Sequence, residues 1–166
     1  MKFSKIVLFT LLLWGLGMPL FAQNNVVIFG PRENTLAYRI RTSRPRAAQN
    51  FINFYAPLPK NRAVAELQII YPQGMASIFN PDRLSVRNRR TQVEYPIREM
   101  LVDEQVGSVR IIFNSPILAE AGQELEIISE GGTNPPPGMY QVRVNFLGTE
   151  ANPLFVVLGQ WLVSIY

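Results

Sequence analysis

The 166-residue chain contains no cysteine and no histidine. Without thiols it can form no disulfide and cannot carry a lipid on an N-terminal cysteine. Without imidazole or thiolate it lacks the commonest catalytic bases, the thiol nucleophile and the ligands that hold zinc, copper or haem. Lysine is nearly as scarce, being confined to Lys2, Lys5 and Lys60. A serine–lysine pair would have to use Lys60, which stands in Pro57-Leu58-Pro59-Lys60-Asn61 with no S-x-x-K context and reads as a solvated loop residue. Glycosidase-like chemistry needs two carboxylates facing each other across a cleft. Glu99, Asp103, Glu104, Glu124 and Glu126 are the candidates, and their spacing singles out no pair. Glu124 and Glu126 recur at period two beside Glu130, as on a wet strand face. There is no D-x-D-x-D-G calcium loop. No catalytic residue, metal or cofactor is therefore expected, and the protein reads as a non-enzyme.

Long apolar runs are also missing, except at the start. Lys2 and Lys5 precede an apolar stretch from Ile6 to Leu20, then Phe21-Ala22 and polar Gln23-Asn24-Asn25. A basic start, an apolar middle and a small residue at the cut make residues 1–22 a cleavable signal peptide. The stretch is short for the ~20 residues of a bilayer-spanning helix, so an uncleaved anchor is the weaker reading, and no transmembrane span is expected after cleavage. Residues 23–166 then form the mature protein, which is exported to the periplasm, the cell surface or the medium. A cysteine-free exported domain of this size points to a bacterial source.

Cleavage leaves 16 − 2 = 14 basic residues against 12 acidic ones, a formal charge of +2. All of those basic residues except Lys60 are arginines, and arginine's planar fork suits carboxylate, sulfate and phosphate groups. They cluster twice, as Arg39, Arg41, Arg44 and Arg46 and as Arg87, Arg89 and Arg90. If the fold joins the two groups, they form a cationic patch for an acidic envelope glycan, a lipid headgroup or an acidic envelope protein. The bland alternative is solvated charge paired with scattered glutamates. Nucleic acid is not expected, because the aromatics fall at core-facing strand positions rather than among the arginines. Trp161, Tyr140 and Tyr166 are candidates for sugar stacking at a sheet edge, with core packing the favoured role for each.

What the sequence has in quantity is period-two alternation. Short runs of Val, Ile, Leu, Phe and Tyr are separated by Pro, Gly and Asn. Strands are expected at 26–29, 36–41, 49–56, 64–71, 84–87, 106–114, 124–129, 139–147 and 154–166. In Val109–Phe113 and Tyr140–Phe146 the apolar residues face one way, and Arg110, Gln141, Arg143 and Asn145 face the other. Turn chemistry punctuates these runs at 71–74, 80–82, 114–116, 121–122 and 135–138. The stretches 72–81, 96–104 and 115–121 break the pattern and read as irregular or as short helical turns. The expected fold is all-β, an antiparallel two-sheet sandwich of immunoglobulin type in one domain. A transmembrane barrel fits less well, because Ser164 and Gln160 interrupt the apolar alternation counted back from Tyr166 and prolines leave few ~10-residue strands.

Five segments, Arg46–Pro59, Glu66–Ile70, Val109–Phe113, Pro137–Val142 and Leu158–Leu162, resemble a family of small exported cyanobacterial proteins catalogued as a domain of unknown function. The resemblance covers most of the mature chain, from about Ala47 to Tyr166. It implies an envelope location in a photosynthetic bacterium and supplies no catalytic residue.

Overall fold

The computed structural model describes residues 34–118 and 123–166. The expected signal peptide, the strand at 26–29 and the turn at 121–122 lie outside the described residues.

Among the described residues nine strands form two antiparallel sheets. In chain order they are β1 (Tyr38–Ile40), β2 (Phe51–Pro57), β3 (Val64–Ile70), β4 (Leu84–Asn88), β5 (Ile97–Asp103), β6 (Ser108–Ile117), β7 (Glu124–Glu130), β8 (Gly138–Leu147) and β9 (Val156–Ile165). The smaller sheet runs β1-β2-β7-β4 and the larger β5-β6-β3-β8-β9. Set against the constant-type immunoglobulin order ABED over CFG, β1, β2, β7 and β4 stand for A, B, E and D, and β3, β8 and β9 for C, F and G. The β5–β6 hairpin is an addition between D and E that extends the second sheet beyond C. The expected immunoglobulin-type sandwich is thus the observed one.

The core follows from the alternation. Inward residues from both sheets, including Ile52, Phe54, Leu67, Ile69, Val109, Ile111, Leu125, Ile127, Val142, Val144 and Val163, are fully excluded from solvent. A row of rings ties the sheets together. Trp161 packs on Phe54 with centroids 5.0 Å apart, Phe54 on Phe79 at 5.2 Å and Phe79 on Tyr71 at 4.8 Å. Such pairs contribute roughly 0.5–1.5 kcal/mol each beyond the area they bury. The indole N–H of Trp161 donates to the Tyr55 carbonyl at 2.9 Å, so its one polar atom is satisfied. Trp161 is therefore a core residue and not a sugar platform. Tyr140 is half-buried with its hydroxyl donating to the Pro136 carbonyl, whereas Tyr166 is 82% exposed.

Two expectations are corrected. Residues 96–104 are neither irregular nor helical, because 97–103 form edge strand β5. Its alternation is masked by a register shift between Ile97 and Glu99, and by the solvent exposure of an edge that lets Leu101 and Val102 both stand about 40% open. Residues 115–117 likewise complete β6, where burial of Ile117 opposite Val64 outweighs moderate helical propensity, and residues 119–121 of that stretch lie outside the described residues. The 72–81 stretch behaves as expected, with short 3-10 turns at Gln73–Met75 and Pro81–Arg83. The second of these begins where the Asn80 side chain accepts from the Asp82 N–H at 2.9 Å.

Because every pairing of strands is antiparallel, the connections sort to two ends. The β2–β3, β4–β5, β6–β7 and β8–β9 connections lie at one, called the upper end. The β1–β2, β3–β4, β5–β6 and β7–β8 connections lie at the other, the lower end. At the lower end Gly107, with φ of +72°, closes the β5–β6 turn, and a Cβ there would sit 2.4 Å from the Tyr71 carbonyl oxygen.

Candidate functional site

The fold separates the arginines that cluster in sequence. Arg39 lies on the solvent face of β1, and Arg41, Arg44 and Arg46 are exposed on the connection that follows it at the lower end. Arg87 lies on β4, with Arg89 and Arg90 just beyond it at the upper end. β1 and β4 are opposite edges of the smaller sheet, with β2 and β7 between them. At ~4.8 Å per strand step the edges stand about 14 Å apart.

Their electrostatics differ as much as their places. On the outer face of the smaller sheet Glu126 stands opposite both Tyr55 and Arg87. Its carboxylate accepts from Arg87 Nε at 2.6 Å, from the Asn53 amide and from Gln92 Nε2 at 3.4 Å. Burial, the largest single influence, pushes this carboxyl up. The hydrogen bonds from Arg87 and Asn53, the Arg87 charge and the Gln92 contact together outweigh it, so the net shift is downward. Arg89 pairs with Glu124 and lies over the Tyr55 ring at 4.0 Å. Arg87 and Arg89 are thus committed to neighbours within the protein. Arg39, Arg41, Arg44, Arg46 and Arg90 make no ion pair among the described residues.

The lower arginine loop is held from beneath. Gln49 and Asn134, both buried, hydrogen-bond each other at 2.8 Å. The Asn134 amide donates to the carbonyls of Thr42 at 2.8 Å and Arg44 at 2.9 Å, and the Gln49 amide also reaches the Thr42 carbonyl. The Arg46 N–H donates to the Asn134 carbonyl at 3.1 Å, and Arg46 is held at φ of +57°. A non-glycine residue in that region persists only where its surroundings over-determine it.

The carboxylates named as hydrolase candidates are dispersed. Glu99 and Asp103 lie on β5 and Glu104 in the turn after it, whereas Glu124 and Glu126 lie on β7 in the other sheet. Among the described residues no three acidic groups are placed to hold a metal ion. A lower-end cleft of about 570 Å³ is lined by Tyr71, Gln73, Phe79, Asn80 and Glu104. Burial, and secondarily the charge of Glu104, push the Tyr71 hydroxyl up, so it remains protonated.

The upper end shows what the sequence reading missed. Val93, Leu118 and Leu154 are 62%, 73% and 77% exposed, each on a different connection, and Val157 at the start of β9 is 54% exposed. Leu118 and Tyr95 line a common cleft, which brings the β4–β5 segment beside the end of β6. Leu118 follows Ile117 and Leu154 opens the apolar run Leu154–Leu158, whereas Val93 is a single apolar residue between Gln92 and Glu94. Such a residue leaves no period-two trace. The Gln49–Asn134 clamp joins positions 85 apart and has no sequence signal either.

This arrangement defines an immunoglobulin-type β-sandwich carrying its surface chemistry on loops. The chain belongs to the family described as "Protein of unknown function (DUF2808)", whose profile matches residues 26–165. No curated protein matches the sequence. Among solved structures it is similar to BslA, described as a bacterial hydrophobin, with a TM-score of 0.55 and 15% identity over 82% of this chain and 97% of that one. Weaker likenesses are to the N-terminal domain of the Streptococcus gordonii adhesin Sgo0707 and to a collagen-binding domain of a Staphylococcus aureus adhesin. The first has a TM-score of 0.41 and 9% identity over 81% of this chain, which spans 33% of that one. The second has a TM-score of 0.37 and 8% identity over 70% of this chain and 88% of that one. No helix among the described residues is long and apolar enough to cross a membrane.

Proposed function

We propose that this is an exported, non-catalytic envelope protein, a structural or binding β-sandwich that adheres to an apolar surface through the loop tips of its upper end. The observation that carries the reading is the exposure of Val93, Leu118 and Leu154 on three connections at one end of the fold. A single exposed apolar residue is ordinary, as Val106 and Met139 are at the lower end, but exposed ones on three connections of the upper end, continued by the open run Leu154–Val157, offer an apolar contact surface. The BslA likeness supports the fold on which such tips are displayed, and its description as a hydrophobin suggests the role. The dispersal of the carboxylates over two sheets, with Glu124 and Glu126 engaged by arginines, supports the non-catalytic half of the proposal.

The test is adsorption of the purified protein to octyl-coated beads and to an oil–water boundary, beside the triple variant Val93→Ser, Leu118→Ser, Leu154→Ser. The expected result is adsorption of the native protein and its loss in the variant, with unfolding stability changed by no more than ~0.5 kcal/mol per site, as at exposed positions. A native protein that stays in the water phase, or a variant that adsorbs equally, rules the reading out.

A further inference from the structure

We propose that the loop Arg41–Arg46 is a preorganised binding site for a polyanionic carbohydrate carrying carboxylate or sulfate groups. The site deepens the binding role above by adding a second, chemically different surface at the opposite end.

Charge sets the site apart first. From Asn34 to Ala65 the chain has no acidic residue, and it carries Arg39, Arg41, Arg44 and Arg46. The segments that hydrogen-bond to the loop, 132–134 and Tyr166, bear no charged side chain. Glu130, opposite Phe51 at the same end, makes no ion pair among the described residues. Among the described residues no ion pair engages the guanidinium groups of Arg41, Arg44 and Arg46, and their forked donors suit carboxylate and sulfate oxygens.

Rigidity sets it apart second. Gln49 and Asn134 are 3% and 2% exposed, and their amides fix the carbonyls of Thr42 and Arg44. The backbone that presents Arg41, Arg44 and Arg46 is thus ordered before any ligand arrives, which lowers the cost of binding. The left-handed Arg46 is strain of the kind that collects at ligand clamps.

Two observations favour a glycan over a bilayer. Between Arg41 and Ala48 the loop offers no apolar side chain larger than proline to bury in acyl chains. Beside it stands Tyr166, 82% exposed and anchored by its N–H to the Ser43 carbonyl at 2.9 Å, an aromatic face on which a sugar ring can rest.

Binding is measured on alginate and dextran sulfate, with uncharged dextran and phosphatidylglycerol vesicles as comparators. The native protein is expected to bind both polyanions and neither comparator. Release is expected as salt rises from about 0.05 M to about 0.5 M, over which screening shortens. The variant Arg41→Glu, Arg44→Glu, Arg46→Glu is expected to lose affinity roughly tenfold or more. The charge-matched variant Lys60→Glu, Arg90→Glu, Arg98→Glu is expected to bind like the native protein. Gln49→Ala keeps every arginine and is expected to weaken binding several-fold while remaining folded by thermal unfolding. Equal loss in the charge-matched variant overturns the site in favour of overall charge, and tighter binding to the vesicles overturns it in favour of a membrane. The Val93, Leu118 and Leu154 variant is expected to bind alginate normally, so failure of the apolar-tip reading leaves this result intact.

Discussion

Arg87 and Arg44 belong to two groups that look alike in the sequence and do opposite things in the fold. Arg87 sits near the end of edge strand β4, where the register sets Glu126 of β7 directly opposite, and the pair closes at 2.6 Å. Arg44 sits on a connection whose supports are backbone carbonyls and two uncharged amides, and no acid among the described residues pairs with it. Arg87 is answered by an acid set opposite it on the neighbouring strand, whereas Arg39, on β1 opposite Asn53, and Arg44, on a loop clamped by neutral groups, meet no acid among the described residues. Clustering in sequence does not distinguish these cases; whether the neighbouring strand sets an acid opposite does.

The comparison breaks most visibly at Glu126. Replacing it by Ala leaves Arg87 without its partner and the buried Asn53 amide without an acceptor, and is expected to cost about 3 kcal/mol in denaturant unfolding. Its pH dependence follows from the downward shift. A carboxyl held below its ordinary value of 4.5 contributes stability that is complete above that value and is lost as pH falls through the lowered one. Native protein is therefore expected to lose stability with acidification below about pH 4.5 more steeply than Glu126→Gln, as read by urea midpoints across that range. Identical acid profiles would mean that Glu126 is not held ionised by its neighbours.

A smaller effect tests the other side. Asn134→Ala removes two side-chain bonds to the arginine loop and its bond with Gln49, at an expected cost of about 2 kcal/mol. Amide exchange at Arg44 and Arg46 is expected to quicken beyond the global change, because the clamp acts locally. Uniform quickening across the fold would place Asn134 in the common core instead.

Most strands were legible because half-buried antiparallel strands write their burial into alternate residues, as Val142-Arg143-Val144 does with a buried, exposed, buried series. β5 escaped because an edge strand has one neighbour, so Leu101 and Val102 can both stay open and a register shift costs little. The wet face of β8 is less open than its alternation implies. Asn145 is only 8% exposed and its amide donates to Gln68 at 3.0 Å, a contact between strands that no single segment encodes. Arg39, Arg41, Arg44 and Arg46 were visible by composition. Which arginines remain available depended on partners such as Glu126, 39 positions from Arg87.

The smallest expected effect is also the sharpest statement about the free arginines. Arg44 is exposed, makes no ion pair among the described residues, and lies two residues from Arg46 and three from Arg41 in a stretch without acidic residues. Its removal takes away repulsion and little packing. Arg44→Ala is therefore expected to change unfolding stability by no more than ~0.5 kcal/mol, with the sign toward stabilisation at low salt. The difference should vanish as salt rises, because screening already quiets the repulsion in the native protein. Destabilisation of about 1 kcal/mol or more, read by urea unfolding at low and high salt, would mean that Arg44 is satisfied within the protein, as Arg87 is. In that case the contrast between the two arginine groups would collapse, and the reason for seeking an external anion at this loop with it.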